Sequence, residues 1–220
     1  MYEITKVPLA ETSGEALKSA AAVRESFHVV GLGGSLSPCS TSLYALKLAL
    51  TGAQEAGAVI TVLDIRTMNL PLYEPGTRVL PDQVRFLLTA MSEADAFIWS
   101  SPQYHGTISG SFKNALDWLD VLEKQDPPYL TDKVVGLVSA AGGTQGIQAI
   151  ITMEFIVRAL RGLAIPLVVP IPKAREAFDE AGRIVDPKID AQLRRLGSEV
   201  VRLAMHFRLR EGLGLSRRIN

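Results

Sequence analysis

The sequence predicts an α/β domain built on a parallel sheet that is buried on both faces. Three observations carry that prediction. Five apolar runs rich in β-branched residues recur along the chain, helical patterns fill the gaps between them, and turn residues follow each run. The order is βαβαβαβαβ with one more helix after it, and strands that are apolar throughout rather than alternately are covered on both sides.

The first strand is FHVVGLGG (27–34), and a helix follows over 41–56. VITVLDI (59–65), DAFIWSS (95–101) and KVVGLVSA (133–140) are the next three strands, with helical patterns at 81–93, 110–124 and 146–161. LAIPLVVPI (163–171) is the fifth, and Pro166 and Pro170 each remove a ladder donor, which assigns it to an edge of the sheet. In the last helix (188–210), Ile189, Leu193, Leu196, Val200, Leu203 and Phe207 recur at four- and three-residue steps, a seam that packs on the sheet or joins two subunits. Residues 1–26 fit no element and read as an N-terminal arm. The domain runs over 27–211, and 212–220 is a short tail.

Composition limits the function. With 220 residues and 47% hydrophobic content the chain buries an ordinary core, most simply in one domain. Lys plus Arg and Asp plus Glu both number 23, so no net field attracts nucleic acid or an acidic membrane surface. No apolar stretch approaches the ~18 residues of a membrane span, the first residues have no signal-peptide pattern, and a single cysteine forms no internal disulfide. The expected location is the cytoplasm.

A parallel sheet of this kind binds ligands outside the carboxyl ends of its strands, so the loops after strands one, three and four are the candidate site. The first, GGSLSPCSTS (33–42), sets Ser35, Ser37, Ser40, Thr41 and Ser42 around a glycine pair at the start of a helix. Serines cap helices, but five hydroxyls around glycines at a helix N-terminus also make a phosphate cradle without a lysine. Leu36 breaks a dinucleotide fingerprint, no Gly-Lys pair makes a Walker loop, and Ser37 stands where the hydrolase elbow needs glycine. The second loop places Tyr104 and His105 between Pro102 and Gly106, with Gln103 beside them. The third, AAGGTQG (140–146), offers Gly142, Gly143 and Thr144. Aromatic and amide side chains beside bare backbone suit a flat heteroaromatic ring, so the three loops together describe one phosphorylated aromatic cofactor.

Three motifs also carry a family resemblance over about residues 27–171. They are G-S-L-x-x-x-S-x-S at Gly34–Ser42, L-P-L-Y-E at Leu70–Glu74, and S-P-x-Y-H-G-x-I-S-G-x-x-K-N-A-L-D-W at Ser101–Trp118. The sequence resembles the NAD(P)H-dependent FMN reductases of the flavodoxin-like superfamily. The resemblance implies a five-stranded doubly wound sheet of order 2-1-3-4-5 with helices on both faces. It implies that Ser35, Ser37, Ser40 and Ser42 hold the FMN phosphate, while Pro102, Gln103, Tyr104, His105, Gly106, Gly142, Gly143 and Thr144 line the ribityl chain and ring. It also implies NADPH or NADH as hydride donor and a homodimer or homotetramer with flavin sites at subunit contacts. The electrons would go to free flavin for a partner flavin-dependent monooxygenase, or to a quinone, azo dye or metal anion; a carrier without reductase turnover is the other class. Many relatives have Arg at the position of Ser37 and Glu at that of Gln103. Loss of the guanidinium predicts looser FMN that exchanges as a substrate.

The remaining chemistry-bearing residues read as follows. His105 is an acid or electrostatic partner at the ring, or a structural hydrogen-bond donor, while His28 and His206 read as structural. His28, Cys39 and His105 lack metal-ligand spacing, and Cys39 reads as a small packed residue. For assembly, Phe112, Ala115, Leu116 and Leu119 are expected to face the sheet, which leaves Trp118, Val121 and Leu122 as a second stripe and puts Trp118 in a subunit interface.

Overall fold

A computed structural model describes residues 26–212, and no side chains beyond Arg208. The arm read over 1–26 lies outside the described residues apart from Ser26, and so does the tail apart from Gly212.

The strands are β1 (His28–Gly33), β2 (Val59–Asp64), β3 (Ala96–Tyr104), β4 (Thr107–Ile108), β5 (Val134–Ala141) and β6 (Leu163–Ile171). The helices are α1 (Thr41–Glu55), α2 (Ile65–Met68), α3 (Asp82–Glu93), α4 (Gly110–Asp117), α5 (Ile147–Ala159), α6 (Ala174–Ala177) and α7 (Pro187–Gly212), and a 3₁₀ stretch, Trp118–Lys124, continues α4. Five strands lie parallel in the order β2-β1-β3-β5-β6, and β4 folds back antiparallel on β3. The fold is the flavodoxin-like doubly wound sheet that the sequence predicts, with one short strand added.

Alternation along the strands sorts the core into two layers. Val30, Leu32, Phe97, Trp99, Val135 and Leu137 point to the face covered by α3, α4 and α5. Val29, Ala96, Ile98, Val134 and Val138 point to the face covered by α1 and α7. All eight residues of β5 are buried, as a central parallel strand requires. β6 is an edge: Ala164 pairs with Val135 and Val168 with Leu137, so Ile165, Pro166 and Leu167 bulge opposite Gly136 alone. Pro166 sits where no ladder donor is needed.

α1 and α7 cross at two glycines. A Cβ on Gly197 would overlap the Ala49 carbonyl oxygen, and one on Gly52 the Arg194 carbonyl oxygen, so neither position admits a side chain. On α7, Leu193, Leu196 and Val200 are fully buried. The seam read from the sequence therefore packs chiefly on the chain's own sheet and on α1.

The 3₁₀ stretch changes the outward stripe expected of the third helix. Trp118 and Leu122 are buried, and only Val121 is exposed. Beyond Asp117 each residue turns about 120° rather than 100°, and the Trp118 indole lies against Tyr73 with ring centroids 5.2 Å apart. Trp118 is a core residue of its own chain, which corrects its expected place in an interface.

Candidate functional site

β1, β3 and β5 are adjacent and parallel, so their carboxyl-end loops meet along one edge, where the strand order reverses between β1 and β3. At Gly34 (φ +95°) the chain leaves β1, and the Gly34 N–H donates to the Ser100 carbonyl oxygen at 3.2 Å. Ser40 caps α1, its hydroxyl accepting from Leu43 N at 3.3 Å. Ser35 Oγ donates to Ser40 Oγ at 3.1 Å, and Ser40 and Ser42 share a hydroxyl–hydroxyl bond of 3.0 Å. The three hydroxyls form one buried chain. Ser37 is exposed at the loop tip, its N–H donating to Ser35 Oγ at 3.3 Å, and Thr41 is half-buried in the first turn. The amides of Thr41 and Ser42 have no acceptor inside the helix, so hydroxyls and N–H groups converge at the positive end of the α1 dipole.

Ser100 is a residue that the motif reading passed over. Fully buried, it donates to the Ser42 carbonyl oxygen at 2.8 Å and ties the start of α1 to β3. Its signal was a serine pair closing an otherwise apolar strand.

In the second loop β3 runs on through Tyr104 and turns at His105 (φ +50°) and Gly106 (φ +84°) into β4, with Tyr104 paired to Thr107. Two successive positive φ angles mark the hairpin turn that matches strand twist, and histidine is among the side chains that tolerate it. The motif Y-H-G is thus the turn between β3 and β4. His105 is exposed and its ring makes no hydrogen bond to the described residues. Tyr104 is half-exposed and Pro102 buried. Gln103 reaches α5: its Oε1 accepts from Ala149 N at 3.3 Å.

The third loop is open. A Cβ on Gly142 or Gly143 would meet nothing within 4 Å. The Gly143 carbonyl oxygen accepts from Lys173 N at 2.8 Å, and Lys173 itself is left-handed (φ +46°). In a planar trans peptide the Thr144 N–H points opposite that carbonyl, so the loop offers a donor on the side away from Lys173. Farther along the same segment, Gly182 (φ +75°) packs under the face of Tyr44 on α1, where a Cβ would lie 2.6 Å from the ring. Nothing local in the sequence marks either contact.

A cleft of about 320 Å³ adjoins the cradle, lined by Leu36, Ile65, Leu70, Leu72, Ser111 and Asn114 among others. Its wall from the L-P-L-Y-E motif is clamped to α4: Asn114 Nδ2 and Trp118 Nε1 both donate to the Pro71 carbonyl oxygen at 2.9 Å, and Asn114 Oδ1 accepts from Tyr73 N at 2.8 Å. Tyr73 Oη donates to Asp120 at 2.6 Å, and this bond, with partial burial and the carboxylate's charge, pushes the phenol up to about 12.

The residues fit FMN. A buried hydroxyl chain at a helix N-terminus takes a phosphate monoester, and the unobstructed Gly142–Gly143 backbone leaves room for a planar ring beside Tyr104. Among the described residues no cluster of three or more His, Cys, Asp or Glu is arranged to hold a metal ion, and no helix is long and apolar enough to cross a membrane.

This sheet order, with its switch point between β1 and β3, defines a flavodoxin-like fold. Comparison with solved structures agrees: the flavoenzyme NAD(P)H:acceptor oxidoreductase FerB of Paracoccus denitrificans superposes with a TM-score of 0.67 at 18% identity, over 82% of this chain and 98% of its own. A WrbA-like flavodoxin of Agrobacterium tumefaciens gives 0.58 at 18% identity, over 82% and 98%. The profile of the family described as NADPH-dependent FMN reductase matches residues 27–176, and the chain belongs to that family. It is an oxidoreductase that works with FMN and NAD(P)H. Among its relatives, an NAD(P)H-dependent FMN reductase of Pseudomonas aeruginosa is 30% identical over 80% of this chain and 96% of its own. A probable NADPH:quinone oxidoreductase of Oryza sativa subsp. japonica is 29% identical over 77% and 85%. The NADPH-dependent FMN reductase ArsH of Acidithiobacillus ferrooxidans is 30% identical over 76% and 69%.

Proposed function

We propose that the chain oxidises NADPH or NADH at an FMN seated across the three loops and passes the electrons to free flavin, for a partner monooxygenase, or to a small acceptor. The observation that carries this reading is the buried Ser35–Ser40–Ser42 hydroxyl chain at the start of α1. These hydroxyls and the first amides of α1 hold the phosphate. Tyr104 and the Gly142–Gly143 backbone flank the ring, and Thr144 N–H and Gln103 stand at its edge. When bound, FMN supplies the chemistry, accepting a hydride and delivering electrons onward; the protein supplies position and electrostatics. No acid is needed from His105, whose place in the turn is structural.

The cleft beside the cradle favours a second reading of the acceptor. Its Leu36, Leu70 and Leu72 walls suit an apolar ring such as a quinone, the acceptor in the name of the Oryza relative. One experiment separates the two. NADPH oxidation is followed first at saturating FMN without another acceptor, then at catalytic FMN with a quinone. Turnover only in the first makes FMN the substrate; fast turnover in the second makes it a resident group; neither would sink the proposal.

We further infer a homodimer or homotetramer, now through α5. Ile147, Ile151 and Phe155 are 42%, 56% and 70% exposed at four-residue spacing, a continuous apolar stripe that starts just after the Gly142–Gly146 loop. Glu154 and Arg158 flank it, an acid and a base that could pair between two copies related by a two-fold axis. A second copy on this stripe lies next to the ring loop. Light scattering on the wild type and on Phe155→Arg tests it; a monomeric wild type overturns it. The location assigned is the reducing cytoplasm, to which a lone free cysteine is suited.

A further inference from the structure

Gln103 leaves β3 on the same face as Phe97 and Trp99, the face that carries α5. Its Oε1 accepts from Ala149 N at 3.3 Å. Ala149 is the third residue of α5, so its N–H has no acceptor within the helix, and the cap residue, Gly146, has no side chain to supply one. Gln103 is therefore the cap of α5, provided from another element 46 residues away. Only the oxygen of an amide accepts, so this bond fixes the orientation of the side chain. The oxygen faces the helix and the NH2 group is turned from it. Gln103 pairs with Ala141 across the sheet, directly before the open backbone of Gly142 and Gly143.

We propose that Gln103 sets the reduction potential of the bound FMN, as a donor whose acceptor end is already committed to α5. This rests on the reading that FMN occupies the three loops. The reduced ring carries more negative charge at its nitrogen and carbonyl edge than the oxidised ring. An N–H donor there binds the reduced form more tightly, and the ratio of the two affinities sets how far the potential of bound FMN is shifted from that of free FMN. Acceptance of the Ala149 hydrogen bond polarises the amide and strengthens its N–H groups as donors. The same side chain thus joins the positive end of α5 to the ring edge through one polarised group.

Gln103→Glu keeps the helix cap through one carboxylate oxygen while the other replaces the NH2 group, so it removes the donor and adds a negative charge at the ring edge. Gln103→Met removes both cap and donor at similar length. Equilibrium redox titration of the FMN-loaded proteins against a reference dye reads the potential. Thermal unfolding of the FMN-free proteins reads the cap. The expected result for Gln103→Glu is at least a tenfold loss in the preference for reduced over oxidised FMN, a fall of about 30 mV for a two-electron couple, with unfolding at or above the wild-type temperature. Gln103→Met should fall between the two in potential and unfold at a lower temperature than either. FMN bound normally with an unchanged or higher potential in Gln103→Glu overturns the proposal alone, as does a Gln103→Met protein as stable as wild type. A wild type that binds no FMN overturns the cofactor reading, and this proposal with it.

Discussion

Trp118 is joined to Pro71: the indole N–H donates to the Pro71 carbonyl oxygen at 2.9 Å, and Asn114 donates to the same atom. The loop that walls the cleft beside the cradle is therefore held by side chains of α4 and its 3₁₀ extension. Trp118→Phe keeps most of the packing and leaves Asn114 as the remaining donor, so unfolding stability should fall by about 1 kcal/mol. Trp118→Arg buries a charge without a partner and should cost more than about 3 kcal/mol. Urea unfolding of both variants checks this. Dissociation of an assembly by Trp118→Arg without loss of fold would contradict the burial described above.

The glycine crossing predicts a sharp positional effect on α7. Gly197→Ala forces a methyl group onto the Ala49 carbonyl oxygen, backbone that cannot swing aside. The expected loss is about 3 kcal/mol, at the upper end for overpacking. Gln192→Ala, exposed on the same helix, should stay within about 0.5 kcal/mol. Chemical denaturation of the pair decides it, and similar losses at both positions would count against the crossing.

Tyr73 gives the molecule an alkaline signature. Its phenol, pushed up to about 12 chiefly by the hydrogen bond to Asp120, has a higher value in the folded chain than in the unfolded one. The stabilisation is therefore complete below pH 10 and disappears as pH rises through 12. Stability measured from pH 8 to 12 should fall more steeply for the wild type than for Tyr73→Phe. Parallel curves for the two proteins would show that folding does not raise the Tyr73 phenol.

At the cradle, Ser35→Ala combined with Ser40→Ala should weaken FMN by ~1–3 kcal/mol, roughly 5- to 150-fold in Kd, because phosphate bonds in a partly buried site go unmade. Ser40→Ala alone also removes the α1 cap and should lower stability by about 1 kcal/mol. Fluorescence titration with FMN reads the first effect and thermal unfolding the second. A folded double variant with wild-type affinity would exclude the hydroxyl chain as the phosphate site.

The parts of the fold legible in the sequence were those written in local periodicity. Four of the five long strands and four of the five long helices lie within about two residues of their expected spans, because an apolar run or a helical stripe is a local signal; α4 ends at Asp117 and reaches Lys124 only as the 3₁₀ stretch. The third strand instead extends to Tyr104, and β4 escaped notice, since Thr107 and Ile108 carry no pattern and the pairing comes from the His105–Gly106 turn. Trp118 was misplaced because a uniform 100° step was carried past the point where the helix tightens. At the candidate site, the grouping of hydroxyl and glycine residues at a strand-to-helix turn was legible from composition. The contacts that set their geometry were not, because each joins residues far apart in the chain: Ser100 to Ser42, Gln103 to Ala149, Lys173 to Gly143 and Gly182 to Tyr44.

The crossing of α1 and α7 also bears on the cradle at the other end of α1. Gly52 lies twelve residues beyond Ser40, about 18 Å along the helix axis at 1.5 Å per residue. With backbone seated on backbone there, α1 is a rod clamped near its tail, free neither to slide nor to roll. The axial reach of its first turn toward an incoming phosphate is thus fixed from a point remote from any ligand. An added methyl at Gly52 would meet the Arg194 carbonyl oxygen and should be felt as a shift in the aim of Ser40, so the phosphate binding proposed above should weaken from a contact on the far side of the domain.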